Sequence, residues 1–270
     1  YSLRKTAKKN ANVFWVSEEV FPQTIEVLKT RCEPLGIQLR IGNHKNLELT
    51  DDIYGIFVQY PSADGEVYDY SELFKQAEAK GILKAVATDL LSLALLTPPG
   101  EFGADVVLGS TQRFGVPMGY GGPHAAYFAT KDEFKRQIPG RIIGVSVDSK
   151  GRRALRMALQ TREQHIKREH ATSNICTSQV LLAIMAGMYA VYHGPKGIKA
   201  IADRIHKLTS VLDQALQSLG IKQTNKIYFD TLQVELNSTE VESLKVEAIK
   251  NEINFRYIDE KRIGISLSEL

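Results

Sequence analysis

The chain has 270 residues, 43% of them hydrophobic, with a net charge of +3, enough to bury one large core or one and a half. Acids and bases are interspersed, which excludes a nucleic-acid or membrane-surface footprint, and no apolar run approaches the roughly 20 residues that span a bilayer. The two cysteines, Cys32 and Cys176, lie far apart without metal-type spacing, as expected of reduced thiols inside a cell.

Residues 11–16 (ANVFWV) read as a strand and 22–32 as a helix with Phe21, Ile25, Leu28 and Cys32 near one face. A second strand is expected at 36–41. The almost uniformly apolar 53–59 (IYGIFVQ) is the pattern of a parallel strand covered on both faces. A turn-rich loop, 60–65, leads to a helix at 70–80, a strand at 83–88 ending at Asp89, and a short helix at 90–96. Residues 103–130, GADVVLGSTQRFGVPMGYGGPHAAYFAT, place two strand-like runs, 104–108 and 125–129, on either side of a loop rich in Gly and Pro. Its composition alone describes an ordinary surface loop, with neither a P-loop nor a dinucleotide fingerprint.

Further on, 140–160 reads as a β-ribbon turning at Ser149-Lys150-Gly151, 161–172 as a polar basic segment, and 178–191 as an apolar helix. A long amphipathic helix is expected over 194–219. Strand-like stretches at 226–236, 255–258 and 262–267 surround a helix at 240–252. Alternating strands and helices predict an α/β fold with a mainly parallel sheet, in which ligands sit at the carboxyl ends of strands. Tyr60-Pro61-Ser62 and Asp89 lie at such ends. The expected organisation is a large α/β domain over 1–193 and a linking helix with an incomplete small α+β domain over 194–270. Neither end reads as a native terminus, so the chain is expected to be an internal piece of a longer polypeptide.

The stretch 103–129 and the segment 161–177, TREQHIKREHATSNICT, closely resemble the P-protein family of the glycine cleavage system, the pyridoxal-phosphate-dependent glycine decarboxylases, and in particular their amino-terminal half or separate first subunit. The resemblance covers essentially the whole chain and implies the large domain of a fold type I pyridoxal-phosphate transferase. It implies a parent reaction in which glycine is decarboxylated and its aminomethyl group passes to the lipoyl arm of the H-protein. The partners implied are the catalytic half or second subunit, the lipoylated H-protein and glycine, in a dimer, with no nucleic acid and no membrane. In the family's catalytic half a His-Lys-Thr-Phe core carries the Schiff-base lysine. Thr111-Gln112-Arg113-Phe114 occupies that place here, so Gln112 stands where the lysine would be. An amide forms no imine, so the resemblance implies a non-catalytic half that shapes the other half's site, and an isolated fragment without activity.

Three residues after Ala171, namely Thr172, Ser173 and Asn174, resemble the family's phosphate-facing segment and are expected to reach the cofactor of the catalytic half. Family members usually carry Lys where His170 stands, which puts the charge there in question. By resemblance Asp89 matches the carboxylate that meets the pyridinium in the catalytic half, but with Gln112 in place of the lysine it reads more readily as a turn acid opening a helix, a relic of that role. The loop 113–124 is a candidate wall or lid, with His124 more ordinary as a structural histidine than as a proton shuttle. His165 and His170 lack the H-E-x-x-H arrangement, so no metal is expected. Lys131 reads as a solvent-exposed helix-start residue, and nothing marks Lys84 as a nucleophile. Two alternatives stay open: a free-standing aminotransferase- or desulfurase-like enzyme, which Gln112 opposes, and a dimerisation scaffold. A bacterial cytoplasm is expected rather than a mitochondrial matrix.

Overall fold

The structure, a computed structural model, describes residue 8 and residues 10–138, 141–159 and 179–269. Six strands form the main sheet: β1 (Val13–Ser17), β2 (Gln38–Gly42), β3 (Ile53–Tyr60), β4 (Leu83–Thr88), β5 (Val106–Ser110) and β6 (Ala126–Thr130), in the order β2-β1-β3-β4-β5-β6. The pairs from β2 through β5 are parallel, and β6 is antiparallel to β5. β3 is buried at every position, as its unbroken apolar run predicts.

Helix α1 (Pro22–Cys32), which has Pro in its first turn where the missing N–H costs nothing, packs Ile25 and Leu28 over Val16, Val20 and Phe57 on one face of the sheet. Helix α2 (Ser71–Ala79) covers the other face, where Phe74 and Ala77 meet Ile56, Val58, Ile82 and Val86. The fully buried Phe74, Ile56, Val58, Ile82 and Val86 contribute roughly 1.5–3 kcal/mol each. The helix expected at 90–96 shrinks to a single 3-10 turn, Ser92–Ala94. Pro98 and Pro99 follow it, and a residue preceding proline is driven out of the helical region.

A two-stranded ribbon pairs β7 (Ile142–Val147) with β8 (Arg153–Leu159), with Ile143 opposite Met157 and Val145 opposite Leu155. Helix α3 (Val180–Ser218) runs through Pro195 with a break at Gly194, whose φ of 61° and ψ of 177° are not helical. Beyond it, β9 (Lys222–Gln223), β10 (Thr231–Glu235), β11 (Arg256–Tyr257) and β12 (Arg262–Ser266) form a second sheet ordered β11-β12-β10-β9. Helix α4 (Ser238–Lys250) begins with a capping box in which Asn237 and Glu240 satisfy one another's backbone N–H, as this pairing does at helix starts. The strand expected over 226–236 is shorter. Glu66 accepts hydrogen bonds from the backbone of Lys226 and Ile227, at 2.8 and 3.1 Å, so that stretch binds the loop after β3 rather than the sheet.

Candidate functional site

The carboxyl ends of β3, β4 and β5 converge because the strands run parallel and in register, with Tyr60 opposite Thr88 and Ala87 opposite Leu108. Gly109 tightens this end of the sheet. A Cβ there would collide with the Thr88 carbonyl oxygen and lie 2.7 Å from Cε1 of Tyr127. With no side chain at 109, the Tyr127 hydroxyl reaches across and donates to Thr88 O at 3.1 Å. Residues 110–113, which leave β5, are thereby drawn beside Asp89.

Asp89 occupies both positions expected of it, strand end and turn acid, for its Oδ1 accepts from Leu91 N at 3.1 Å. Its other oxygen is taken by Arg113, whose Nη1 lies 3.0 Å from Asp89 Oδ2. The same Nη1 hydrogen-bonds Asp230, and Nη2 lies 3.7 Å from Oε2 of Glu269. The guanidinium also stands over the ring of Phe229, 5.6 Å from its centroid, within the range of a cation–π contact. Below it, Leu91, Ala202, Ile205 and Phe229 form a buried cluster joined by Phe114 and Leu267. Arg113 is thus the centre of this site, with three carboxylates around one cation.

Electrostatics follow from burial. Burial pushes the Asp89 carboxyl up from 3.8 to about 6, with Asp230 adding to the rise and Arg113 opposing it. Although Asp89 has a close cationic partner, desolvation wins, because that partner is shared with two other carboxylates. Burial disfavours the Arg113 charge, yet Asp89, Asp230 and Glu269 outweigh it and raise its pKa. Burial, reinforced by Asp89, also raises the Tyr127 phenol.

Gln112 sits at the start of the turn after β5, where its backbone N–H donates to Ser110 Oγ at 3.1 Å and its carbonyl accepts from Val116 N. The loop beyond turns away through Gly115, where a Cβ would meet the Tyr189 ring at 2.9 Å, and projects Met118 and Tyr120 into solvent. His124 is exposed. Thr172, Ser173, Asn174, His165 and His170 lie outside the described residues. Lys131 differs from its expected solvent-exposed setting. Its Nζ is 2.6 Å from Oδ1 of Asp105, a buried carboxylate that also holds Lys84, 3% exposed, at 3.2 Å. Among the described residues no group of three or more metal-ligating side chains comes together.

Sequence reasoning placed Asp89 and Gln112 but missed the Arg113–Asp230–Glu269 bridge. In the sequence Arg113 reads as the neighbour of Gln112 and the start of the 113–124 loop, and no local pattern links it to an aspartate 117 residues away.

Comparison with known proteins was decisive on the family. The family model for the glycine cleavage system P-protein matches residues 2–270. The chain belongs to the glycine cleavage system P-protein family. Relatives described as glycine dehydrogenase (decarboxylating) include one from Nostoc sp., 57% identical over 97% of this chain, and one from Flavobacterium johnsoniae, 58% identical over 98%. The matches fall in the amino-terminal part of these relatives, and the chain spans only 27% and 28% of their lengths. A crystal structure of glycine decarboxylase (P-protein) in inhibitor-bound form superposes with a TM-score of 0.88 at 31% identity, over all of this chain and 63% of that one. A NifS-like protein superposes with a TM-score of 0.63 at 14% identity, a likeness of fold alone, and the superposition on the P-protein gives this sheet the type I fold of pyridoxal-phosphate enzymes.

Proposed function

We propose that this chain is part of a glycine decarboxylase and forms a half that does no bond-making of its own. Family membership supports pyridoxal phosphate as the cofactor of the whole protein, where it supplies the electron sink for decarboxylation. The residues of this half do not fit that group. Gln112 offers an amide where a Schiff base needs an amine, and the carboxylate suited to a pyridinium is already engaged by Arg113. That engaged carboxylate is the observation that carries the reading. No step of the reaction is assigned to this chain.

Its contribution is to a partner's site. The exposed faces support this reading: Ile143, Val145, Leu155 and Met157 share one side of the β7–β8 ribbon and are all open to solvent. The first half of α3 likewise exposes Leu181, Ile184, Met188, Val191 and Tyr192. A helix apolar around its circumference belongs in an interior, and no helix among the described residues is long and apolar enough to cross a membrane. These surfaces suit the catalytic half as occupant, in a dimer-like arrangement. Thr172, Ser173 and Asn174 are proposed to face the cofactor phosphate of that half. Glycine is the proposed substrate of the whole enzyme, the lipoylated H-protein its acceptor, and the bacterial cytoplasm its setting.

The test is cofactor affinity of the whole enzyme after replacing Thr172 and Ser173 with alanine. A rise in the dissociation constant for pyridoxal phosphate is expected, and an unchanged constant would remove these residues from the site.

A further inference from the structure

We propose that Arg113 is a latch between the two sheets: its guanidinium takes the cation's place opposite Asp89 and grips Asp230 and Glu269, closing this unit without any ligand. The inference concerns the conformation of this chain and stands whichever half carries the cofactor.

Both jaws of the latch are anchored. On the main-sheet side, Asp89 receives Leu91 N at 3.1 Å, and its own N–H donates to Tyr60 O at 3.3 Å. On the other side, Thr231 Oγ1 donates to Asp230 Oδ1 at 2.9 Å, Leu267 N donates to Asp230 O at 2.9 Å, and His206 Nδ1 lies 2.9 Å from Phe229 O. The arginine itself is held in a tight turn, with Phe114 N donating to Thr111 O and Val116 N to Gln112 O. One nitrogen of the guanidinium, Nη1, carries both hydrogen bonds, to Asp89 and to Asp230, while Nη2 meets Glu269 only as an ion pair at 3.7 Å; the delocalised charge stays on the planar group at any working pH, which a more readily shifted lysine ammonium does not guarantee.

Charge makes the latch directional. With Arg113 present, Asp89 and Asp230 share one cation at hydrogen-bonding distance. Without it, three carboxylates from the two sheets face one another in a half-buried space, and attraction becomes repulsion. Another set of contacts between the loop after β3 and the second sheet is of a different kind. There Asn225 Nδ2 donates to Asp64 O at 2.9 Å, and Glu66 binds the backbone of 226 and 227. Val67 N also donates to Ile227 O at 2.8 Å, and none of these contacts loses a charged partner when the latch opens.

Hydrogen exchange on the full chain, followed by mass spectrometry, tests this directly. In Arg113→Met, exchange at residues 229–232 and 264–269 is expected to rise about tenfold or more, together with 89–92, while 62–67 changes little. Arg113→Lys should fall between the two. Rates within twofold of the parent at 229–232 and 264–269 would overturn the latch. If Arg113→Met fails to fold, Asp230→Asn, which leaves Arg113 paired with Asp89, must open the same segments, and its failure to do so overturns the proposal equally. Millimolar pyridoxal phosphate should leave the parent's pattern unchanged. Added protection at 89–92 and 229–232 would show that a ligand, not Arg113, closes the unit.

Discussion

Replacing Asp89 with asparagine separates the two forces acting on this carboxylate. In the folded chain its pKa is raised from 3.8 to about 6, chiefly by burial, a difference that corresponds to about 3 kcal/mol between its two protonation states. The sign follows from the direction. A raised carboxyl gives stability that is present below pH 3.8 and lost as pH climbs through 6. Asparagine mimics the protonated form at every pH. The parent chain should therefore match Asp89→Asn near pH 4 and fall below it, by up to about 3 kcal/mol, near pH 7.5. Arg113 keeps Asp230 and Glu269 in the variant, which keeps the loss of its third partner small. Urea unfolding of both proteins across pH 4–8, plotted as a difference curve, measures this. A flat curve, or a parent that gains on the variant as pH rises, would mean that the 3.0 Å ion pair outweighs desolvation, and the account of Asp89 would fall.

Gly109→Ala should cost roughly 2–4 kcal/mol, since the new methyl meets the Thr88 backbone and the Tyr127 ring and overpacking at a backbone contact has no cheap relief; thermal unfolding reads it. At the other end of the sheet, Asp105→Asn should cost about 3–5 kcal/mol, because it leaves the buried Lys84 ammonium to Glu78, 3.8 Å away and exposed. Lys84→Met, by contrast, leaves Asp105 with Lys131 at 2.6 Å and should cost under about 2 kcal/mol, so equal losses in urea would contradict the pairing. Val145→Lys with Leu155→Glu, an opposite-charge pair facing across the ribbon at positions 66% and 71% exposed, should leave stability within about 0.5 kcal/mol. The same pair should weaken association with the remainder of the P-protein in sedimentation, and unchanged association would take the ribbon out of the interface.

Much of the main sheet was legible because its strands are short apolar runs with sharp ends. The run 53–59 reads as a doubly covered strand and β3 is buried throughout, and Ile25 and Leu28, read on one face of α1, pack on the sheet, whereas Phe21 from the same expected face is exposed. The sequence was misleading where a distant group claimed a local backbone, as Glu66 claims residues 226 and 227 and shortens β10. Lys131 looked solvent-exposed because its partner, Asp105, is remote in sequence and buried. The substitution at Gln112 could be read directly from a motif. Its structural counterpart, the cation that Arg113 supplies to Asp89 and Asp230, depends on chain folding over more than a hundred residues, and no spacing rule reports it.

The central proposal is that this chain is part of a glycine decarboxylase and holds no covalent cofactor of its own. Borohydride reduction of the whole enzyme with pyridoxal phosphate, followed by peptide mapping, tests it most directly. The account predicts a pyridoxyl label confined to a lysine outside residues 1–270, with none on the peptide that carries Gln112. Stoichiometric label on any lysine of this chain, Lys84 and Lys131 included, would contradict it.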